Sequence, residues 1–433
     1  MSIKHVGTDQ AASESRGRLA SANFLTTGFH ALSIRNFRLW WVGQLISQVG
    51  TWMQSTAQAW LVYQLTNSAF DLGLVTTLQF LPVTLLALFG GVIADRVRKR
   101  NLMVVTQTLF LVQATVFGVL VGTGSIRIWH VYVLALVQGL INAVDNPVRQ
   151  ALPVELVKRE DVGNAIALNS MLFNAARIVG PSLAGLVIFT VGIAATLYLN
   201  AVSFIAVIIA LLMMDATKFF IHVVRPMQPA VLKELYEGLV YSVKTPLVFT
   251  VLLVIAGIGT FGYNFSTVLP LLGGFVLHTD AAGFGILSTA IGVGSFIGAM
   301  YVAYNHNFTP KRLFVGSVLF SIFLAAVALS NVFAISDVLL VALGFAGILF
   351  TTTANTLLQM VVPDELRGRV MSLYVLLFMG STPIGALFTG TMATAIGVPD
   401  ALLVEAAICA VSLVIAGLYY QLKVRIPRRE AAL

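Results

Sequence analysis

Twelve apolar stretches follow one another along the chain, and a run of about 18 residues or more is what crosses the hydrocarbon core of a bilayer as a helix. They fall near 36–64, 72–94, 101–123, 129–150, 164–189 and 193–214, then near 247–276, 281–304, 312–331, 335–361, 368–397 and 400–422. Their continuous apolarity excludes an outer-membrane barrel, whose strands alternate apolar and polar residues. The 433 residues are 58% apolar and only 10% charged. Soluble domains carry about 25% charged residues, so a soluble enzyme is excluded too. The expected fold class is an all-α polytopic membrane protein with twelve transmembrane helices in two six-helix halves.

The basic residues test this map. Net charge is 26 − 18 = +8, and 24 of the 26 Lys and Arg fall on one face once the spans are drawn, leaving Arg127 opposite and Arg177 inside a helix. That placement argues for a membrane topology and against a nucleic-acid partner. By the positive-inside rule the basic face, with both termini, is cytoplasmic in a bacterial inner membrane. The expected organisation is a disordered tail over 1–32, a six-helix bundle over 33–214, an amphipathic linker over 215–246, a second bundle over 247–422 and a basic tail over 423–433. No apolar signal-peptide core stands in the first 30 residues. In the linker, Val231, Leu235, Leu239 and Val243 recur at helical spacing, which predicts a helix lying along the membrane surface. The halves echo each other at an offset of 200–210 residues, as in Gly180-Pro181 and Thr382-Pro383.

Candidate chemistry is sparse. Cys409 is the single cysteine, no HExxH pair exists, and Gly257-Ile-Gly259-Thr-Phe-Gly262 satisfies GxGxxG without a strand–turn–helix around it. Neither a cofactor nor a metal is expected. An ionised side chain near the bilayer centre costs about 3 kcal/mol or more unless paired or hydrated, which singles out Asp145, Arg177 and Glu405. Asp145 and Glu405 are the candidate proton carriers; Asp145 is alternatively a structural partner of Lys99 or a nearby arginine. Arg177 is a candidate for an anionic substrate group or an internal ion pair. On helix 1, Gln44, Gln48, Thr51, Ser55 and Gln58 share one face, expected to line a water-filled cavity. Tyr263, Asn264 and Asn355 are candidates for the opposite wall.

The segment Gly90-Gly91-Val-Ile-Ala-Asp95-Arg96-Val-Arg98-Lys99-Arg100 closely resembles the signature loop of the major facilitator superfamily, G-x-x-x-D-R-x-x-R/K-R/K, between helices 2 and 3. The resemblance implies a latch of Gly91, Asp95, Arg96, Lys99, Arg100 and Asp145. In it Gly91 would allow close helix approach and Asp95 would cap a helix across the bundle interface. Arg177-Ile-Val-Gly180-Pro181 with Gly185 resembles the antiporter motif of helix 5. Together with Asp145-Asn-Pro147-Val-Arg149 and Arg367-Gly368-Arg369, these segments look like the bacterial efflux branch of enterobactin-type siderophore exporters and macrolide efflux proteins. Gln138-Gly139 on helix 4 resembles the family's R-x-x-Q-G motif, but Ala135 stands where drug/proton antiporters carry an arginine associated with proton coupling. The resemblance implies a monomeric exporter of a small hydrophobic or amphipathic molecule, working by proton antiport and alternating access. The rivals are an uptake carrier or proton symporter of the same fold, a non-transporting sensor, and an intramembrane enzyme.

Overall fold

The computed structural model describes residues 29–220, 231–305 and 308–425, and among them every regular element is helical. The first half holds α1 (Arg35–Thr66), α2 (Ala69–Arg96), α3 (Lys99–Gly122), α4 (Ile128–Glu155), α5 (Val162–Thr190) and α6 (Ile193–Leu212). After the connecting helix α7 (Val231–Lys244) come α8 (Pro246–Phe261), α9 (Phe265–Leu271), α10 (Ala281–Tyr304), α11 (Pro310–Leu329), α12 (Phe333–Val361), α13 (Asp364–Phe378), α14 (Thr382–Ile396) and α15 (Val398–Tyr420). Eleven spans among the described residues are long and apolar enough to cross a membrane. The twelfth, α1, is 32 residues long but carries Gln44, Gln48, Gln54 and Gln58, which lower its hydropathy. Burying those amides inside the bundle lets so polar a helix keep its place.

The internal repeat is visible in the backbone. Gly192 and Gly397, 397 − 192 = 205 residues apart, both adopt left-handed φ, at 102° and 89°, in the tight turns before α6 and α15. Elsewhere helix starts are fixed by side chains: Ser68, Asp280 and Thr309 each accept a backbone N–H three residues on.

Two spans expected to be continuous are broken. The seventh stops at Phe261, turns through Gly262–Asn264, and resumes as α9 followed by a π-helical turn over Leu272–Val276. The eleventh is interrupted at Met379–Ser381, between α13 and α14. Pro383 has no N–H, and Ile384 donates to Ser381 rather than to Gly380, so the Gly380 carbonyl is freed and accepts the Thr84 hydroxyl at 3.2 Å. Both breaks lie in the second half.

The ends differ from expectation as well. The tail reads 1–32, yet His30–Ser33 forms a helical turn pinned to the start of α5: His30 meets Asp161 at 2.7 Å and the Ala31 N–H donates to Asn164 at 3.0 Å. Residues 1–28 and 426–433 lie outside the described residues. In α7 the side chains of Val231 and Leu235 also lie outside them, whereas Leu239 and Val243 are exposed. That helix docks on α13 through Gly238 and a 2.5 Å Glu237–Arg369 ion pair.

Candidate transport chamber and latch

The halves touch at one end and part at the other. Away from the basic loops, α2 meets α14 and α5 meets α10 through paired glycines. A Cβ on Gly73 would lie 3.1 Å from the Gly390 Cα, and one on Gly185 would lie 2.8 Å from the Gly285 Cα. Such contacts bring backbones together and exclude side chains. Hydroxyls stitch the same seam: Thr77 donates to the Pro383 carbonyl at 3.0 Å, Ser182 and Thr289 meet at 2.6 Å, and Tyr63 donates to the Gly274 carbonyl at 3.0 Å. Trp60 stacks on Phe284 with centroids 5.4 Å apart. Toward the basic loops, a Cβ on Gly91, Gly163 or Gly368 would meet nothing within 4 Å, although each lies near that end of α2, α5 or α13. There α13 packs on α7, α8 and α12 of its own half, whereas α14 packs on α2 of the other. The molecule is sealed at the face opposite the basic loops and open at the basic face.

This geometry changes the expected role of Gly91. It is Gly90 that approaches a neighbour, where a Cβ would overlap the Ala143 carbonyl; Gly91 faces open space. The Asp95 side chain lies outside the described residues, and Arg96 is exposed. Lys99 pairs with Glu155 at 2.6 Å, and Arg100 donates to the Leu211 and Leu212 carbonyls at 2.6 and 3.0 Å, capping the end of α6. Asp145 is fully buried and its partner is Arg149, one helical turn on, at 2.5 and 2.8 Å, not Lys99. Thr106 and Gln107 donate to its other oxygen at 2.6 and 2.9 Å. Arg149 also donates to Gln44 at 2.9 Å. Both Asp145 oxygens are thus satisfied in a network joining α1, α3 and α4, while Gln44 Nε2 and Gln107 Oε1 at its edges have no partner among the described residues. The i, i+4 spacing of Asp145 and Arg149 was its sequence signature.

The helix 1 stripe is redistributed by the same packing. Gln44, Gln48 and Gln58 are buried rather than lining open space, and Gln58 donates to Gln79 at 3.4 Å. Thr51 and Ser55 are half-buried. A second polar cluster, Gln54 with Gln113 and Asn200 at 3.2 and 2.7 Å, lies inside the first bundle and had no signal beyond scattered amides. Burial of many apolar neighbours around α1 leaves its amides to pair with α2, α3, α4 and α6.

At the centre stand Arg177, Trp52 and Tyr263. Arg177 is half-buried midway along α5, its guanidinium carbon 5.9 Å from the Trp52 ring and 5.8 Å from the Tyr263 ring. Tyr263 lies in the seventh-span break and packs on Phe265, Phe378, Phe320 and Phe350 with centroids 4.7 to 6.2 Å away. Asn355 is half-buried on α12 and hydrogen-bonded to Gln359. The helix 5 glycines divide their work. Gly180 packs on Trp52 and Val49 within its own bundle, and Gly185 packs on α10 across the seam; Pro181 lends its carbonyl to that contact.

Glu405 is fully buried on α15. Its Oε1 contacts the Thr389 hydroxyl, and its Oε2 has no partner among the described residues. Thr389 also reaches the Gly385 carbonyl at 2.9 Å. Gly385 lies against the seventh-span break, where a Cβ would come 2.4 Å from Asn264 Nδ2. The Oδ1 of Asn264 is likewise buried without a partner, while its amide donates to the Thr260 carbonyl at 2.7 Å.

Comparison with known proteins agrees with this architecture. A family model described as transmembrane secretion effector matches residues 26–432. The staphyloferrin A transporter of Staphylococcus aureus is 26% identical over 355 residues, covering 81% of this chain and 87% of that protein. The multidrug efflux pump Tap of Mycolicibacterium fortuitum is 24% identical over 361 residues, covering 82% and 88%. In fold, a bacterial homologue of the human lysosomal transporter Spinster superposes with a TM-score of 0.72 at 13% identity, over 89% of this chain and 97% of that one. The relatives are transporters and not enzymes, and they stand in the siderophore and drug efflux branch that the sequence motifs resemble. The chain belongs to the transmembrane secretion effector family of the major facilitator superfamily, a multi-pass membrane transporter.

Proposed function

We propose that this protein is a secondary active exporter of a small amphipathic molecule of the siderophore or drug class, driven by proton antiport through alternating access. The observation that carries the reading is the asymmetry of the seam: glycine-paired and hydrogen-bonded at one face, open at the basic face, with Arg177, Trp52 and Tyr263 at the level between. By the positive-inside rule the open face is cytoplasmic and the membrane is the bacterial inner membrane. Export as the direction rests on the printed names of the relatives, a multidrug efflux pump among them.

Of the candidate carriers Asp145 and Glu405, Glu405 suits the proton. Asp145 is already neutralised by Arg149 and holds two further donors, so a proton there would disrupt bonds to its carboxylate. The Thr389 hydroxyl has one hydrogen and two neighbours, the Gly385 carbonyl and Glu405. Both contacts are satisfied together when Glu405 carries the proton and donates it to Thr389, which then donates to Gly385. Deprotonation would turn the Thr389 hydroxyl onto the carboxylate and away from the carbonyl of Gly385, the residue packed on Asn264 in the seventh-span break, and so favour a rearrangement there. Protonation and substrate binding that favour different states are all that coupling needs.

The test is uptake into inside-out vesicles under an imposed pH gradient, acid inside, with a panel of siderophores, macrolides and other amphipathic drugs. One class accumulates with the wild type and loses its gradient dependence in Glu405→Gln. Accumulation that ignores the gradient in the wild type overturns the antiport reading.

A further inference from the structure

We infer that Arg177, clamped between Trp52 and Tyr263, is the anion anchor of the chamber, so that the transported molecule is an organic anion with a flat apolar or aromatic body. The inference rests on reading the chamber as the transport site and narrows it to a substrate class.

The charge balance around Arg177 carries the argument. Each acid of its bundle for which a contact is seen has a partner elsewhere: Asp145 has Arg149, Glu155 has Lys99, Asp161 has His30, and Asp71 accepts the Tyr132 hydroxyl at 2.7 Å. Among the described residues no carboxylate pairs with Arg177 and no hydrogen bond engages its guanidinium. A fixed positive charge at mid-membrane depth is costly unless something compensates it. What this chain supplies is the faces of two rings, one from each half.

Ring faces hold a guanidinium by its plane and leave its five N–H donors pointing outward along the edge. That edge fits a carboxylate, or another two-oxygen anion, bidentately. Access comes along the same helix face, because Ser170 and Asn174, seven and three residues before Arg177, are exposed and lead toward the open end of α5. Tyr263 packs on Phe378 at 5.1 Å, both half-buried, and Phe378 stacks in turn on the buried Tyr374 at 6.0 Å. The ring surface that Trp52, Tyr263 and Phe378 leave uncovered suits a flat apolar body, and the Arg177 cation among them selects against a cationic one.

The experiment is calorimetric titration of the full chain in an uncharged detergent with three probes that share a ring system: 2-naphthoate, 2-naphthamide and 2-naphthylmethylammonium. In the wild type naphthoate binds roughly tenfold tighter than the amide, and the ammonium more weakly than both. Arg177→Gln removes the anion preference while leaving amide binding in place, and Arg177→Lys retains part of the preference because charge without the planar fork fits less well. Equal binding of the three probes by the wild type, or a preference that survives in Arg177→Gln, overturns the inference. Should Arg177→Gln not fold, the wild-type ranking and Arg177→Lys decide the matter. Because no gradient is applied, an anion preference without gradient-driven uptake overturns the antiport reading alone. Gradient-driven uptake with no anion preference overturns this inference alone.

Discussion

Gly185 of α5 and Gly285 of α10 meet backbone to backbone: a Cβ on either would come within 2.8 Å of the other's Cα. Gly73 and Gly390 repeat the arrangement between α2 and α14, with 3.1 and 3.0 Å. The two pairs form the sealed end of the molecule, and no side chain fits between them. Gly285→Leu therefore holds that end apart. The expected result is a properly inserted protein whose uptake falls by about tenfold or more, since a buried branched side chain here costs on the order of 1–3 kcal/mol of the closed state. Distances between spin labels at Asn67, just after α1, and at Thr394, near the end of α14, would lengthen in the variant; unchanged distances would contradict the glycine seal.

Arg149 neutralises a fully buried Asp145. Arg149→Met leaves that carboxylate unpaired, and the expected loss is about 3–5 kcal/mol of stability. The double variant Asp145→Asn with Arg149→Met recovers much of it, because no lone charge is left behind. Thermal unfolding in detergent reads both. A double variant no better than the single would contradict the pairing.

Glu155 and Lys99 tie the end of α4 to the start of α3 at the basic face, both side chains largely buried. Glu155→Gln is expected to cost only about 1 kcal/mol, since the amide oxygen can still accept a hydrogen bond from the Lys99 ammonium. Its melting temperature should stay within a few degrees of the wild type. A large fall would mean that the latch, and not the buried Asp145 network, holds that face of the bundle.

Beyond the spans, Asp215 caps the turn after α6: it accepts the Thr217 hydroxyl at 2.6 Å and the Thr217 N–H at 3.0 Å. These bonds, the hydroxyl first, hold its carboxyl below the usual range, with Lys218 adding a smaller pull. A lowered folded value contributes stability that is present above the unfolded value and is lost as pH falls through the folded one. Thr217→Val should therefore bring the acid loss of the 215–218 turn to higher pH, read by hydrogen exchange of its amides. An unchanged profile would contradict the assigned cause.

The architecture was legible in the sequence because a bilayer imposes its own length and charge rules. Apolar runs gave the spans, and basic residues sorted their loops onto one face. The breaks at Gly262–Asn264 and Met379–Ser381 carry local signals in Asn264 and in Gly380-Ser381-Thr382-Pro383, but such residues need not interrupt a span, and whether the helix opens depends on which carbonyls the other half can satisfy. Polar stripes misled for a related reason. Gln44 reads as cavity lining by its helical face, yet its partner Arg149 comes from a helix 105 residues away, and only packing brings the two together. Gly91 and Gly90 are neighbours in one motif, and the rotation of α2 alone decides which of them meets Ala143. Arg177 stood out as a lone intramembrane charge, but its ring clamp required a tryptophan and a tyrosine from different halves.

The most direct measurement is proton release by the purified protein in weak buffer on adding a transported ligand. With Glu405 protonated in the state open at the basic face, ligand binding should expel close to one proton per bound molecule, and Glu405→Gln should bind the ligand without release. Binding by the wild type with no proton released, or undiminished release from Glu405→Gln, would contradict the assignment of Glu405 as the antiported proton's carrier.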